Sequence, residues 1–325
     1  MVFSLFSLTL QAQRVSLVNK GSATSLRGCS VVNEQVIWVS GSNGMVGKSI
    51  DSGGTWKWIQ VKSFEKTDFR AITAFDQNIA IIMGVDAPAY ILRTIDGGQT
   101  WKVVFEDQRK GMFLDAMEFW NEQSGIVIGD PVNGKFFIAR TFTGGNNWQD
   151  IPAGQYPVAD SGEACFAASG TNIRAFGNDA ACFVTGGAHA RLFIKDKIIP
   201  LPIIQGKQTT GANSVGVKNK KTLIVVGGDF MTPDSTTKNC VISRDGGDTW
   251  VYPAVFPHGY RSCVEYIGGN KWVTCGLNGV DVSVDDGKTW TLVSKEGFNV
   301  CRKAKDGHII FLGGANGKIG KLTDF

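Results

Sequence analysis

An eight-residue pattern, Ser/Thr-x-Asp-x-Gly-x-Thr-Trp, recurs along this 325-residue chain and constrains its fold more than any other feature. Complete copies occupy residues 49–56, 94–101, 243–250 and 283–290, and a degenerate copy, 141–148, has Thr143 in place of the aspartate. Regular recurrence of one segment is typical of repeat architectures, in which each repeat is one supersecondary unit. The chain is therefore expected to be built from several similar units.

Each copy of the pattern predicts a hairpin turn. The aspartate accepts hydrogen bonds from backbone N–H groups of the turn, and the glycines adopt positive φ. The tryptophan begins the returning strand and packs over the turn. We assign this structural role to the aspartates and tryptophans of the complete copies: Asp51, Trp56, Asp96, Trp101, Asp245, Trp250, Asp285 and Trp290.

A second element, an apolar strand that ends in glycine, occurs seven times. Its closing glycines are Gly41, Gly84, Gly129, Gly186, Gly227, Gly276 and Gly313. The intervals between them suit propeller blades of four strands, which take roughly 40–50 residues each. The 41 glycines favour tight turns, and no long segment has helical periodicity. The sequence thus predicts an all-β fold, a seven-bladed β-propeller, with six or eight blades as alternatives.

The two ends of the chain predict how the propeller closes. The last blade has sequence for three strands, whereas residues 14–19 form a strand without a blade of their own. This N-terminal strand is expected to complete the seventh blade and to cover its open edge. Residues 14–325 are therefore treated as a single β-propeller domain.

Residues 1–13 predict the location of the protein. An apolar run ends there in small and polar residues, like the core and cleavage site of a secretory signal peptide, although the preceding basic residues are missing. This remnant predicts a periplasmic or secreted protein. The alternative is a cytoplasmic protein in which 1–13 form an extra strand. No other segment reaches the ~18 apolar residues of a membrane span.

Composition excludes several classes of function. A net charge of +4 is too weakly basic to predict nucleic-acid binding. The seven cysteines form no C-x-x-C pair and the three histidines lack metal-ligand spacing, so neither a metal nor a cofactor is expected. The cysteines are interpreted as buried thiols, with a single disulfide bond left open.

Arginines recur where the innermost strand of a blade begins, which is at one mouth of the central channel. Arg27 and Arg70 precede the closing glycines of their blades by the same interval, and Asp115 holds the same position in the third. Arg261 precedes Gly276 by one residue more than this interval, and Arg302 precedes Gly313 by fewer residues. A ring of guanidinium groups would bind a carboxylate or phosphate. Alternatively, these arginines pair with acids and tie the blades together.

Loops at the same mouth add further candidates. Arg191 joins the set of ligand-binding arginines. Asp115, Asp130 and Glu163 are candidate general acids or bases, and Tyr260 is a candidate nucleophile. Salt bridges between these acids and the arginines are the competing interpretation.

Several segments resemble one family: 68–72, 90–101, 113–116 with 119–120, 129–131, 162–170 and 259–264. They are similar to the bacterial branch of proteins related to the photosystem II stability/assembly factor, and the turns resemble the Asp-box of their BNR repeats. The resemblance covers nearly the whole chain after residue 20, although nothing in the sequence shows a photosynthetic host.

That resemblance implies a seven-bladed propeller that acts as an assembly chaperone. An arginine patch on one face of the family's photosynthetic members binds the partner, and it corresponds loosely to Arg27, Arg70, Arg261 and Arg302. The implied function is a monomeric binding protein whose ligand is a protein or an anion such as a glycan.

A sialidase-like glycoside hydrolase is the alternative, since sialidases also carry Asp-boxes. Arg70 and Arg261 would then bind a substrate carboxylate, and Tyr260 would be the nucleophile. However, residues 69–72 read Phe-Arg-Ala-Ile and lack the proline of the sialidase Phe-Arg-Ile-Pro motif. Sialidases also have six blades. The sequence therefore favours a binding protein over an enzyme.

Overall fold

The computed structural model describes residues 14–20, 23–178 and 180–323 as seven sheets arranged in a ring. The innermost strands contact one another in sequence order around the channel, and the last contacts the first. The prediction of an all-β, seven-bladed propeller is confirmed. The signal-peptide prediction for residues 1–13 lies outside the described residues.

Blades 1 to 3 each contain four consecutive antiparallel strands. Blade 1 comprises β2 (Leu26–Val31), β3 (Ile37–Gly41), β4 (Met45–Ser49) and β5 (Lys57–Gln60). Blade 2 comprises β6 (Phe69–Ala74), β7 (Ala80–Gly84), β8 (Ala89–Thr94) and β9 (Lys102–Asp107). Blade 3 comprises β10 (Leu114–Phe119), β11 (Gly125–Val132), β12 (Lys135–Thr141) and β13 (Gln149–Asp150).

Two short strands that precede or lie within blade 4 in the sequence join the sheet of blade 5. Blade 4 comprises β15 (Ile173–Ala175), β16 (Ala181–Val184), β18 (Arg191–Ile194) and β19 (Lys197–Pro200). Blade 5 comprises β20 (Thr210–Val217), β21 (Leu223–Asp229) and β22 (Cys240–Ser243). The short strands β14 (Glu163–Ala164) and β17 (Gly186–Gly187) extend the blade 5 sheet on its inner side.

Blades 6 and 7 complete the ring. Blade 6 comprises β23 (Cys263–Gly268), β24 (Lys271–Gly276), β25 (Gly279–Ser283) and β26 (Thr291–Ser294). Blade 7 comprises β27 (Val300–Lys303), β28 (Ile310–Gly313), β29 (Lys318–Thr323) and β1 (Arg14–Lys20). Strand β1 runs antiparallel to β29, from Arg14 opposite Thr323 to Lys20 opposite Lys318. It therefore covers an edge of β29 that would otherwise be unpaired.

Helical structure in the described residues is restricted to two 3₁₀ turns, Ala153–Gln155 and Ala315–Gly317. Accordingly, these residues include no helix with the length and apolar character needed to cross a bilayer.

In four inner strands, a β-bulge directly follows the residue that pairs with the closing glycine of the blade. The bulges fall between the residues flanking Arg27, Arg70, Asp115 and Asn213. A bulge inserts an unpaired residue and changes the direction of its side chain. Equivalent bulges in several blades therefore direct side chains of different chemistry towards one end of the channel.

The repeated turns are held by their aspartates. In the blade 2 turn, Asp96 Oδ1 accepts hydrogen bonds from the backbone N–H of Gln99 and of Thr100, both at 2.9 Å. Asp96 Oδ2 accepts a third from Thr100 Oγ1 at 2.6 Å. Asp51, Asp245 and Asp285 make the corresponding bonds to the threonine of their own turns: Thr55, Thr249 and Thr289.

Each turn also contacts the preceding blade. Gly98 has a φ of +85°, and a Cβ there would come within 2.8 Å of Ile59 Cδ1 in blade 1. Lys48 of blade 1 donates a hydrogen bond to the carbonyl of Gly97 at 3.0 Å. Glycine is therefore needed both for its backbone conformation and for the close approach of two blades. These contacts make the turns structural connections between blades.

Candidate binding cavity at the channel mouth

A cavity of about 430 Å³ lies where the inner strands begin. Its wall is apolar and aromatic on one part and polar on another. The apolar part includes Phe113, Phe166, Phe230, Tyr260 and Leu277. The polar part includes Arg27, Arg70, Asp130, Asn213, Ser262 and Asn299. An apolar concavity with a few polar groups is the usual form of a ligand-binding site.

Arg27 and Arg70 both line this cavity. Arg70 Nε donates to Asp68 at 2.8 Å, and its guanidinium lies 5.8 Å from the centre of the Phe113 ring. Arg27 Nη1 donates to the carbonyl of Ala168 at 3.1 Å, and no carboxylate of the described residues forms an ion pair with it. Burial lowers the pKa of Arg27, and the nearby charge of Arg70 lowers it further. The charge of the nearby Asp68 offsets part of this shift, so Arg27 is a guanidinium without a directly paired carboxylate among the described residues.

Arg191 is held by two acids. Its Nε donates to Glu163 Oε1 at 2.9 Å, and a second bond joins its Nη2 to Glu163 Oε2. Asp160 is 3.4 Å away, and the carbonyl of Val158 accepts a further bond at 2.9 Å. Glu163 is itself buried. The predicted general acid Glu163 and the predicted ligand Arg191 therefore neutralise each other.

The structure corrects the predicted position of Arg261. This side chain is fully buried, and its Nε donates to the equally buried Asp281 at 2.6 Å. Its Nη1 donates to Asn278 Oδ1 at 2.6 Å. The residues on either side of Arg261, Tyr260 and Ser262, line the cavity. Neighbouring residues of a strand face opposite sides, so a shift by a single position moves Arg261 out of the cavity.

Arg302 is likewise not at this mouth. It lies further along the channel in a cluster with Glu118, Arg174 and Glu265. Arg302 Nη1 is 3.7 Å from Glu265, and Arg174 Nη2 is 2.8 Å from the same carboxylate. Strand β27 pairs with β28 without a bulge, so no residue of β27 occupies the position of Arg27. Alternating charges of this cluster hold four blades together.

Tyr260 lines the cavity but is almost completely buried. Its hydroxyl donates to Asn213 Oδ1 at 2.8 Å, and burial raises its pKa well above the usual value. Such a hydroxyl is a poor nucleophile because it ionises with difficulty. With Arg261 absent from the cavity as well, the arrangement lacks the arginine set and the nucleophile that the sialidase alternative requires.

Two carboxyl groups adjoin the cavity. Asp130 Oδ1 accepts a hydrogen bond from the backbone N–H of Cys165 at 2.8 Å, and burial raises the pKa of Asp130 to about 6. Asp115 is fully buried, and neither of its oxygens has a well-formed hydrogen bond. Burial, and then the charge of Asp130, raise the pKa of Asp115 far above its usual value. The backbone amides of Asp130 and Ala167 only partly oppose this shift.

Among the described residues, two groups of side chains have the composition of metal ligands. One is Asp115, Asp130 and Cys165, and the other is Cys263, Cys275 and Cys301. Within each group the potential ligand atoms lie within 4.8 Å of one another. All seven cysteines are free and buried. The three-cysteine group belongs to the core between blades, whereas Asp130 and Cys165 line the cavity.

Several cavity residues were missed by sequence reasoning. Asn213, Ser262 and Asn299 each precede the closing glycine of their blade by the same interval as Arg27 and Arg70 do. A strict count of that interval would have found them. The aromatic residues Phe113, Phe166 and Phe230 carry no comparable signal, because they come from loops without a repeated pattern.

No family model and no curated protein sequence matches this chain. Solved structures do. One described as YCF48 bound to D1 peptide has a TM-score of 0.67 and 16% identity, covering 97% of this chain and 96% of its own. YCF48 from Cyanidioschyzon merolae has a TM-score of 0.66 and 17% identity, and the match covers 95% of this chain and 98% of that one. The WD40 β-propeller domain of Doa1 has a TM-score of 0.64 and 12% identity, and the match covers 97% of each chain. These likenesses show a seven-bladed β-propeller fold.

Proposed function

We propose that this protein is an exported, monomeric binding propeller that holds an anionic, partly apolar segment of a protein partner in the cavity at the channel mouth. Arg27 and Arg70 would bind the anionic group. The observation that carries the proposal is Arg27, a partly buried guanidinium with a carbonyl as partner and a second guanidinium nearby.

Two positive charges beside one cavity repel each other, and partial burial makes that repulsion stronger than in water. A carboxylate or phosphate placed between them would remove the repulsion and accept charge-assisted hydrogen bonds. The planar fork of arginine suits both anions. The incompletely compensated charge of Arg27 therefore favours an anionic ligand over a neutral one.

The apolar wall specifies the remainder of the ligand. Phe113, Phe166 and Phe230 line the cavity, and Leu277 at its edge is 50% exposed. Met231, which follows Phe230, is 69% exposed. Exposed apolar residues around a concave site are typical of protein-interaction surfaces. A peptide segment that combines an acid with apolar side chains matches this wall better than a glycan.

The likeness to a structure described as YCF48 bound to D1 peptide supports a peptide ligand. The family resemblance in the sequence points the same way, because it implies an assembly-type protein. Export is supported by the apolar run within residues 1–13.

A peptide-binding assay tests the proposal. The probes are fluorescent peptides that contain apolar residues and one acidic residue, together with neutral counterparts in which an amide replaces the acid. We expect the acidic peptides to bind more tightly. The double variant Arg27→Ala/Arg70→Ala should weaken that binding by more than about tenfold, since hydrogen bonds to charged groups contribute about 1.5–3 kcal/mol each.

A matched control removes two other positive charges. Lys57 and Lys102 are exposed and lie at the starts of the outer strands β5 and β9. Lys57→Ala/Lys102→Ala lowers the net charge equally and should leave binding unchanged. Equal loss in both double variants, or equal binding of acidic and neutral peptides, would contradict the assignment of the anion site.

A further inference from the structure

Three side chains with metal-binding chemistry meet beside the cavity, although they are distant in sequence. Asp115 comes from the bulge of β10, Asp130 from β11, and Cys165 from the segment after β14. One ligand atom of each lies within 4.8 Å of the other two. We propose that Asp115, Asp130 and Cys165 bind a divalent transition-metal ion of the zinc class.

The strongest support is that Asp115 is fully buried and neither carboxylate oxygen has a hydrogen bond of good geometry, although the backbone amides of Asp130 and Ala167 lie close enough to lower its pKa slightly. Buried polar groups in folded proteins are almost always partnered, and an unpartnered one calls for an explanation such as an ion. Arg70 is the nearby cation, but its Nε bonds to Asp68 rather than to Asp115. A metal ion between Asp115 and its two neighbours would give at least one of these oxygens a partner.

The distances are compatible with coordination. Zinc–sulfur bonds are about 2.3 Å and zinc–oxygen bonds about 2.0–2.2 Å, so ligand atoms of a tetrahedral site lie roughly 3.4–3.6 Å apart. The ligand atoms of the three side chains lie within 4.8 Å of one another, so each pair would have to approach by at most about 1.4 Å to reach this spacing. One oxygen of Asp130 is already oriented by the backbone N–H of Cys165. Hydrogen bonds of this kind hold metal ligands in position.

Charge and access also fit. Two carboxylates and one thiolate around a doubly charged ion carry a net charge of only −1. A mixed oxygen and sulfur donor set suits zinc better than calcium or magnesium, which prefer oxygen alone. Because Asp130 and Cys165 line the cavity, an ion can enter, and a fourth coordination position would face the cavity.

The cluster of Cys263, Cys275 and Cys301 is the internal comparison. These thiols are completely buried in the core and line no described cavity together. Cys301 Sγ lies 3.6 Å from Cys263 Sγ, which is an ordinary packing distance. A soft ion added to the protein could select either cluster, so the experiment must distinguish them.

The test uses the untagged, full-length protein after treatment with a chelator. Titration with Zn²⁺ alone, followed by calorimetry, should show one site per chain. Co²⁺ should produce a thiolate-to-cobalt absorption band in the near ultraviolet. Asp115→Asn should weaken zinc binding by more than about 100-fold, since even loss of an outer hydrogen bond to a ligand costs about 10–100-fold. Cys165→Ser should abolish the band.

Cys263→Ser serves as the control and should keep both the band and the affinity. Circular dichroism checks that each variant is folded, and Asp130→Asn replaces any variant that is not. Absence of zinc binding to the wild-type protein would overturn the proposal. So would a band that survives Cys165→Ser and disappears in Cys263→Ser. Peptide binding is measured separately in chelator, so the anion site and the metal site can fail independently.

Discussion

Aspartates at the rim of the propeller and aspartates beside the channel cavity have the same side chain and opposite environments. Asp96 in a rim turn is partly exposed and accepts hydrogen bonds from Gln99 and Thr100. The hydrogen bonds from Thr100 lower its pKa to about 2. Asp115 is fully buried without a well-formed hydrogen bond, and burial raises its pKa. One carboxyl is stabilised as an anion, and the other is not.

This difference separates structure from function in the molecule. A carboxylate that satisfies several local donors stabilises the turn that surrounds it. A carboxyl whose pKa burial raises costs stability at neutral pH, and such groups are retained mainly where they serve a site. The repeated motif therefore identifies the scaffold, whereas residues that deviate from the repeat identify the candidate site.

The largest loss of stability is expected when Asp281, a buried aspartate in an ion pair, loses its partner. Arg261→Ala would leave Asp281 buried without its charge partner. Removing one member of a buried ion pair costs about 3–5 kcal/mol. We expect the free energy of unfolding, measured by urea denaturation, to fall by that amount.

The control for that variant is Lys197→Ala, which breaks the exposed ion pair with Asp248. Exposed pairs contribute about 0–1 kcal/mol, and here both side chains are more than half exposed. If Arg261→Ala cost no more than Lys197→Ala, the ion pair with Asp281 would not be a structural element, and a free role for Arg261 would have to be reconsidered.

Replacement of aspartate by asparagine should change the free energy of unfolding in opposite directions at the two kinds of aspartate. In the presence of a chelator, Asp115→Asn should raise the free energy of unfolding by about 1–3 kcal/mol, because an amide does not ionise and so avoids the cost of an acid whose pKa burial raises. Asp96→Asn should lower it, because an amide oxygen replaces only part of the carboxylate's acceptors for Gln99 and Thr100. Urea denaturation of both variants at neutral pH measures the two signs. Equal signs would show that burial does not distinguish the two aspartates.

Acid should abolish the contribution of the rim. Hydrogen bonds from the turn threonines, with further bonds inside each turn, lower the pKa of Asp51, Asp96 and Asp245 from 3.8 to about 2. A carboxyl with a lowered pKa in the folded state stabilises the protein above pH 3.8, and this stabilisation is lost as the pH falls through about 2. The stability difference between wild type and Asp96→Asn should therefore shrink on acidification. A difference that is constant between about pH 5 and about pH 2.5 would contradict this origin.

Sequence reasoning could predict the scaffold because the scaffold repeats. The motif and the closing glycines recur at similar intervals, so seven blades could be counted without knowing any distance. Arg27 and Arg70, which share the same interval to their closing glycines, both line one cavity. Arg261 precedes its closing glycine by one residue more than Arg27 and Arg70 do. Because successive side chains of a strand face opposite sides, this difference of one residue places Arg261 outside the cavity.

The carboxyl and thiol group could not be predicted in the same way. Asp115, Asp130 and Cys165 belong to separate segments, and Cys165 lies in the irregular stretch between blades 3 and 4. Their proximity depends on how β11 and the segment after β14 fold over the channel. No short motif records such an arrangement, which explains why the sequence predicted no metal site.

The degenerate turn of blade 3 offers the smallest and most direct test of the comparison. There Thr143 Oγ1 donates to Asn147 Oδ1 at 2.9 Å, and the backbone N–H of Asn147 donates to Thr143 Oγ1 at 3.3 Å. The double substitution Thr143→Asp/Asn147→Thr restores the acceptor and donor found in the complete turns. We expect a gain of at most about 1 kcal/mol, the net value of one or two exposed hydrogen bonds.

Thr143→Asn/Asn147→Thr is the matched control, since it offers one amide oxygen in place of a carboxylate. The carboxylate variant should be the more stable of the two at neutral pH, and its advantage should vanish in acid as it does for Asp96. An unchanged or lower stability would mean that the donors of this turn are already directed elsewhere. A gain would show that a carboxylate at the rim is stabilised wherever the turn supplies its donors. The cost of Asp115 would then follow from its position beside the cavity and not from its chemistry.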